Sequence, residues 1–141
     1  MTGLDHFGVY LTALFEADML FGNEDRHLNN IAVLRRGEVF DYCPMFDFGA
    51  GLLSNVRDYP MDVEPKVLLS QLRAQPMNAQ FVRQVHAAQA NYGAQIRYDS
   101  SWEDIVKALA EPLAFYAERD RSYISDRVMF CIQTQYRKLK K

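Results

Sequence analysis

The chain has 141 residues, of which 49% are hydrophobic and 13% aromatic, and its formal net charge is -2. This length and apolar content exclude a disordered chain and predict one folded domain spanning residues 1–141. The charge gives no electrostatic argument for nucleic-acid binding. No apolar run reaches membrane-spanning length and no leader pattern is visible, so we expect a cytoplasmic protein without a membrane partner.

The first predicted element is a helix from Phe7 to Phe21, where apolar residues recur at helical spacing. Gly22 and Asn23 tolerate left-handed backbone and are predicted to end it. A polar loop follows, with the sequence Asn-Glu-Asp-Arg-His-Leu-Asn-Asn up to Asn30. The helix is apolar on most faces, so we expect it to lie deep in the core.

Two short apolar segments follow the polar loop, at residues 31–34 and 39–42, with a turn at Arg36-Gly37 between them. This pattern predicts a small β-hairpin from about Ile31 to Phe46. Asp47-Phe48-Gly49 comes next. Because a hairpin returns the chain to its starting point, we expect Asp47 to lie beside the polar loop.

Three side chains would then converge on one open cleft: Asp25, Asn30 and Asp47. Two carboxylates and an amide offer the hard oxygen ligands that Mg²⁺ prefers, and Mg²⁺ takes its remaining ligands from substrate phosphates. In protein kinases, an Asn that binds metal follows the catalytic Asp by five residues, and a DFG Asp binds metal as well. Asp25 and Asn30 have that spacing, although the order here is Asp-Arg-His rather than His-Arg-Asp.

Asp25-Arg26-His27-x-x-Asn30 together with Asp47-Phe48-Gly49 resembles the catalytic lobe of the atypical kinases. This group includes the phosphatidylinositol kinases and the HipA-like serine/threonine kinases, and the match is closest to the HipA-like branch. The matching motifs cover about residues 18–53. The resemblance implies a mainly α, kinase C-lobe-like helical domain with a small β-hairpin next to the catalytic loop.

The resemblance also implies roles for individual residues, with ATP and Mg²⁺ as cofactors. Asp25 would accept the proton of a substrate hydroxyl, and Asn30 and Asp47 would hold Mg²⁺ and the nucleotide. Arg26 and His27 would support the loop. Phosphoryl transfer from ATP to a serine or threonine of a protein substrate is the activity expected of this set.

A complete kinase also has an N-terminal lobe, with strands and a Lys that contacts the nucleotide phosphates. Neither a Gly-rich phosphate loop nor a strand-borne Lys precedes Asp25 in this sequence. We therefore expect a C-lobe whose N-lobe is absent, which would be a truncated product, an excised domain or one half of a split kinase. The partners expected are a separate N-lobe or a regulatory protein, and self-association through the uncovered apolar surface beside the Asp25 loop.

Other interpretations remain open. The chain could be a non-catalytic kinase-like lobe that binds a partner, such as a toxin–antitoxin-type regulator, or a metal-dependent hydrolase using Asp25, His27 and Asp47. His27 is also a common type of metal ligand. A purely structural interpretation makes Asp25 and Asn30 turn or capping residues, and makes Asp25 and Arg26 a surface ion pair.

The remainder of the chain reads as a loop followed by helices. Residues 50–65 are either the substrate-recognition segment expected after DFG or a plain connector. Helices are predicted at 66–72, at 78–92 with Asn78 as the cap, from a capping box at Ser100 and Glu103 with a kink at Pro112, and from about residue 121 to the basic end. Trp102 is expected to anchor the core, and Cys43 and Cys131 to be buried free thiols.

Overall fold

The computed structural model describes residues 3–140. Within that range the chain is 51% helical and has five α-helices and one two-stranded antiparallel hairpin. The helices are α1 (Phe7–Phe21), α2 (Pro65–Gln71), α3 (Phe81–Tyr92), α4 (Trp102–Leu113) and α5 (Glu118–Leu139); the strands are β1 (Val33–Arg36) and β2 (Val39–Tyr42). The prediction of a mainly helical domain with one small hairpin is confirmed. None of the described helices combines the length and apolar character needed to cross a membrane.

Helix α1 is the central element and has the predicted bounds. It packs against both α3 and α5. Gly22 ends it with a left-handed backbone, φ 63°, and the Asn23 amide donates to the Asp18 carbonyl at 2.8 Å. A glycine suits this position because a side chain would be strained at positive φ. The polar loop therefore begins directly at the end of a buried helix.

The main hydrophobic core combines residues from α1, the segment after the hairpin, α2, α3 and α5. Its buried members include Phe15, Met19, Leu53, Leu68, Val85 and Cys131. Glu16 is also fully buried on α1, and its carboxylate accepts from Gln89 Nε2 at 2.7 Å and from the Ile96 amide at 2.6 Å. These bonds satisfy a carboxylate that would otherwise be expensive to bury. They also attach α1 to α3 and to the chain that follows it.

The hairpin is short and pairs Val33 with Tyr42 and Arg36 with Val39. Gly37 forms its turn with φ 64°. The first strand begins at Val33 rather than at Ile31. Leu28–Asn30 form a single 3₁₀ turn, and Ile31 is the residue that ends this turn. The hairpin returns the chain to the polar loop, as the sequence predicts.

The segment from residue 50 to 64 contains no helix or strand but is attached to the end of α1. The Leu52 amide donates to the Phe21 carbonyl at 2.6 Å, and Leu53 is buried in the core. A Cβ at Gly51 would lie 3.1 Å from the carbonyl oxygens of both Phe21 and Phe48. The close approach of these backbones holds the segment in place beside Asp47-Phe48-Gly49.

Several local predictions at the later helix starts are wrong by one to three residues. Helix α3 begins at Phe81, and the Asn78 side chain accepts from the Gln80 amide at 2.8 Å, so Asn78 shapes the preceding turn instead of capping the helix. The capping box is formed by Ser101 and Asp104 and not by Ser100 and Glu103. The Asp104 amide donates to Ser101 Oγ at 3.2 Å.

Two side chains are more exposed than predicted. Trp102 is 47% exposed because α4, which it begins, packs only along α5 and buries no residue completely. Cys43 is half-buried, whereas Cys131 is buried as expected, and both are free thiols. Pro112 lies in the last turn of α4, and the chain leaves the helix after Leu113 before α5 begins.

Candidate functional site

A buried ion pair lies beneath the polar loop. Asp18, in the last turn of α1, and Arg26, in the loop, are both fully buried. Arg26 Nε is 2.9 Å from Asp18 Oδ2, and Arg26 Nη2 is 3.0 Å from Asp18 Oδ1. This two-bond geometry is the strong form of an arginine–carboxylate interaction. It excludes the interpretation of Arg26 as the partner of Asp25 in a surface ion pair.

Arg26 also holds two distant parts of the chain. Its Nη1 donates to the Asn30 carbonyl at 2.9 Å and to the Phe46 carbonyl at 2.8 Å. The guanidinium carbon is 4.9 Å from the centre of the Phe48 ring, within the range of a cation–π contact. The guanidinium thus fixes both the end of the polar loop and the start of the Asp47 segment, and Arg26 supports the loop from inside.

Asn23 completes this buried network. Its side-chain amide donates to Asp18 Oδ1 at 2.7 Å and to the Asp47 carbonyl at 3.2 Å. Burial raises the pKa of Asp18, while the bonds from Arg26 and Asn23 act to lower it. We define the buried network as Asp18, Asn23 and Arg26. Its donors set the backbone positions on either side of Asp47.

Above this network, the structure brings Asn30 and Asp47 into direct contact. Asn30 Nδ2 donates to Asp47 Oδ2 at 2.7 Å and to the Asp25 carbonyl at 3.0 Å. Asn30 is buried, whereas Asp47 is exposed and has a left-handed backbone, φ 59°. An amide and a carboxylate from two separate loops therefore meet at the surface. Asn30 keeps its one side-chain oxygen, Oδ1, and Asp47 keeps Oδ1 with which to bind a ligand.

Asp25 and His27 lie on the outer side of the same loop. The Asp25 side chain is exposed, and its backbone carbonyl accepts from the His27 amide at 3.0 Å. The hydrogen bonds of His27 within the loop are made by its backbone, which also accepts from the Asn30 amide at 2.9 Å. His27 lines a cavity of about 420 Å³, together with Gln75 and Pro76.

Glu24 joins the loop to two later segments. Its carboxylate accepts from the Arg73 amide at 2.5 Å and from the Tyr59 hydroxyl. Partial burial raises the pKa of Glu24, the Arg73 amide lowers it, and the charge of Asp58 raises it further. Glu24 thereby attaches the loop to the segment after Asp47, through Tyr59, and to the residues that follow α2, through Arg73.

The donor set at this site fits a magnesium–phosphate complex better than a metal held by protein alone. Asn30 and Asp47 supply one amide and one carboxylate, and Mg²⁺ is commonly held by one or two carboxylates plus substrate phosphates. Among residues 3–140, no group of three or more His, Cys, Asp and Glu side chains is arranged to hold a metal ion. Asp25, His27 and Asp47 do not form such a group, so the hydrolase hypothesis gains no support.

The sequence predicts Asp25, Arg26, His27, Asn30 and Asp47 as site residues, but not Asp18, Asn23 and Glu24. Asp18 lies within the helix that the sequence predicts to be apolar on most faces, and Asn23 is predicted only to help end that helix. A signal was available, because a charged residue within an otherwise apolar helix needs a partner when it is buried.

Comparisons with models of known protein families, with curated proteins and with solved structures found no match to this chain. The kinase resemblance therefore rests on the motif residues and on their arrangement in space.

Proposed function

We propose that this chain is the catalytic lobe of a HipA-like protein serine/threonine kinase, which transfers a phosphoryl group from ATP with Mg²⁺ and works with a separate N-lobe. The observation that carries the proposal is the contact between Asn30 Nδ2 and Asp47 Oδ2 at 2.7 Å. The two residues are 17 positions apart and come from the two motifs that resemble the kinase catalytic loop and DFG segment.

The roles follow from position and chemistry. Asp25 presents an exposed carboxylate that can accept the proton of a substrate hydroxyl. Asn30 and Asp47 would hold Mg²⁺, which when bound neutralises charge on the transferring phosphate. The buried network holds these side chains in position, and positioning supplies most of the catalysis in phosphoryl transfer.

Nucleotide binding tests the metal role of Asp47. Calorimetric titration with ATP, with and without Mg²⁺, is expected to show weak binding that requires Mg²⁺. Asp47→Asn should remove the Mg²⁺-dependent part. Asp41→Asn is the matched control, because Asp41 is an exposed hairpin carboxylate whose Oδ1 accepts from the adjacent Tyr42 amide at 2.8 Å. Equal Mg²⁺-dependent binding in both variants would contradict the proposal.

Phosphoryl transfer tests the role of Asp25. The isolated chain should transfer phosphate poorly, because the phosphate-contacting Lys expected of an N-lobe is not among its motifs. Supplying a kinase N-lobe should raise the rate, and Asp25→Ala should abolish transfer while leaving Mg²⁺–ATP binding intact. Robust activity from the isolated chain would refute the need for a second lobe, and full activity of Asp25→Ala would refute its role as the base.

A second candidate is a non-catalytic lobe that binds a partner protein. It is favoured by apolar side chains near the loop and hairpin, since Leu28 is 66% exposed and Val39 is 68% exposed. Sedimentation of the wild type and of Leu28→Ser would test it. A monomer at all concentrations that also captures no N-lobe would contradict this candidate, whereas self-association lost in Leu28→Ser would support it.

A further inference from the structure

A cavity of about 810 Å³ lies between the segment after Asp47 and the first half of α5. Its wall is mostly apolar and includes Phe48, Leu52, Val56 and Ile124, together with one buried cation, Arg127. The volume lies in the range of small-molecule sites, which are largely apolar with a few polar groups that orient the ligand. None of the candidate catalytic side chains lines it.

Arg127 is the unusual feature of this wall. The residue is only 5% exposed. Its Nη2 donates to the Tyr59 carbonyl at 2.8 Å, and its Nη1 donates to the Pro60 carbonyl at 3.1 Å and contacts Met61 Sδ at 3.2 Å. Its Nε has no hydrogen-bond partner. All of the atoms that accept from this guanidinium are therefore neutral.

The charge of Arg127 consequently has no counter-charge in contact. The ion pairs found within residues 3–140 are made by Arg26, Arg35 and Arg119, and none includes Arg127. A buried guanidinium without an anion is expensive, whereas a paired one is tolerated. Arg119 and Asp120 also line the cavity, but both are exposed, and Arg119 Nε lies 3.6 Å from Asp120 Oδ1, so their charges offset each other. One uncompensated positive charge thus remains in an apolar wall.

We propose that this cavity binds an amphipathic small molecule with an apolar body and one carboxylate, and that the carboxylate lies against Arg127. The apolar wall accounts for the body of the ligand, and the unpaired guanidinium accounts for the anion. A carboxylate suits the site because arginine binds it with strong, charge-assisted hydrogen bonds. The proposal is independent of the kinase proposal, since it uses neither Asn30 nor Asp47.

The probes are decanoate and 1-decanol, which share an apolar chain and differ in charge. Calorimetric titration of the full chain, below the concentration at which decanoate aggregates, should show that decanoate binds at least about tenfold more tightly than decanol, as expected for a charge-assisted bond. Arg127→Met should remove this preference and leave decanol binding unchanged. Arg119→Met is the matched control, and it should change decanoate binding less than about twofold, because exposed pairs contribute little.

A second variant keeps the test decisive if Arg127→Met does not fold. Val56 is 59% exposed at the cavity wall, so Val56→Trp should be tolerated and should block decanoate binding. Amide chemical shifts of the wild type should change around Tyr123 and Ile124 on adding decanoate. Equal binding of decanoate and decanol, or no binding of either, would overturn the proposal. Self-association abolished by Val56→Trp without decanoate binding would instead assign the cavity to a second copy of the chain.

Discussion

Removing the negative charge of Asp18 should destabilise the whole chain. Asp18→Asn keeps the shape of the side chain but leaves Arg26, which is fully buried, without a counter-charge. Breaking a buried pair from one side costs about 3–5 kcal/mol. Small domains have a free energy of unfolding of about 5–15 kcal/mol, so the variant should still fold, with a much smaller free energy of unfolding than the wild type. Urea denaturation followed by circular dichroism measures the change as a lower midpoint at unchanged slope.

The chain supplies its own control in Arg35 and Glu38, an exposed pair with a 3.4 Å separation and side chains 62% and 96% exposed. Glu38→Gln should change the free energy of unfolding by less than about 1 kcal/mol. A loss of less than about 1 kcal/mol for Asp18→Asn, no greater than for the control, would refute the importance of the buried pair.

A double-mutant cycle separates the pair from the other bonds of Arg26. Arg26→Met alone leaves the Asp18 carboxylate unpaired and removes the donor to the Asn30 and Phe46 carbonyls. In the double variant, Asp18→Asn with Arg26→Met, neither buried charge remains. Only the hydrogen bonds from Arg26 to the Asn30 and Phe46 carbonyls are lost. The double variant should therefore lose less stability than the sum of the two single variants, by about 3 kcal/mol. Additive losses would contradict direct coupling.

Three further predictions concern separate parts of the fold. Burial raises the pKa of Glu24 above its ordinary 4.5, so the folded state binds the Glu24 proton more tightly than the unfolded state does. The free energy of unfolding that Glu24 contributes should therefore fall as the pH rises from about 4.5 through the raised pKa. Glu24→Gln should remove that fall when denaturation is measured across this pH range. Burial raises the pKa of Cys131 to about 11, so a thiol reagent should modify Cys43 in the native protein and Cys131 only after unfolding; equal rates would contradict this. Gly51→Ala should cost roughly 1–3 kcal/mol because its Cβ would press on two backbone carbonyls. Gly49→Ala should cost less, because its Cβ would meet only Asp47 Oδ1, at 4.0 Å, and equal losses of stability would contradict the packing argument.

The first helix and the hairpin could be predicted because their signals are local. Periodic apolar residues and a glycine stop define α1, and two short apolar segments around Gly37 define the hairpin. The capping box was misplaced because consecutive serines at 100 and 101 are each followed three residues later by an acid. Only the path of the chain entering α4 selects Ser101. The exposure of Trp102 was missed for a related reason, since sequence does not show which faces of a helix are covered.

The charge of Asp18 within an apolar helix indicates that a buried partner exists, but the geometry of the buried network could not be predicted, because it depends on three parts of the chain at once. Arg26 reaches the last turn of α1, the end of the polar loop and the Phe46 carbonyl, which is 20 residues away. Spacing along the sequence brings Asn30 and Asp47 together only through the hairpin. The spacing gives no information on Arg26, which holds the backbones at Asn30 and Phe46. Arg26 is buried although it belongs to a loop whose polar sequence predicts exposure to solvent.

Adjacent residues of the polar loop perform different tasks, and this bears on Asp25. Arg26 is fully buried and forms four hydrogen bonds to three other residues, all of which stabilise the fold. Asp25 contributes backbone bonds only, one of them from the Asn30 side chain to its carbonyl, and the residue is exposed. A turn or cap residue would use its side chain to bond the local backbone, as Asn23 does at 3.4 Å to the Asp25 amide. The structural interpretation therefore does not fit Asp25. It describes Asn30 only in part, because Asn30 Nδ2 donates to the Asp25 carbonyl and also to Asp47 Oδ2. Since the fold makes no use of the Asp25 carboxylate, Asp25→Ala should leave the free energy of unfolding nearly unchanged, and any loss of phosphoryl transfer in that variant can be attributed to chemistry rather than to folding.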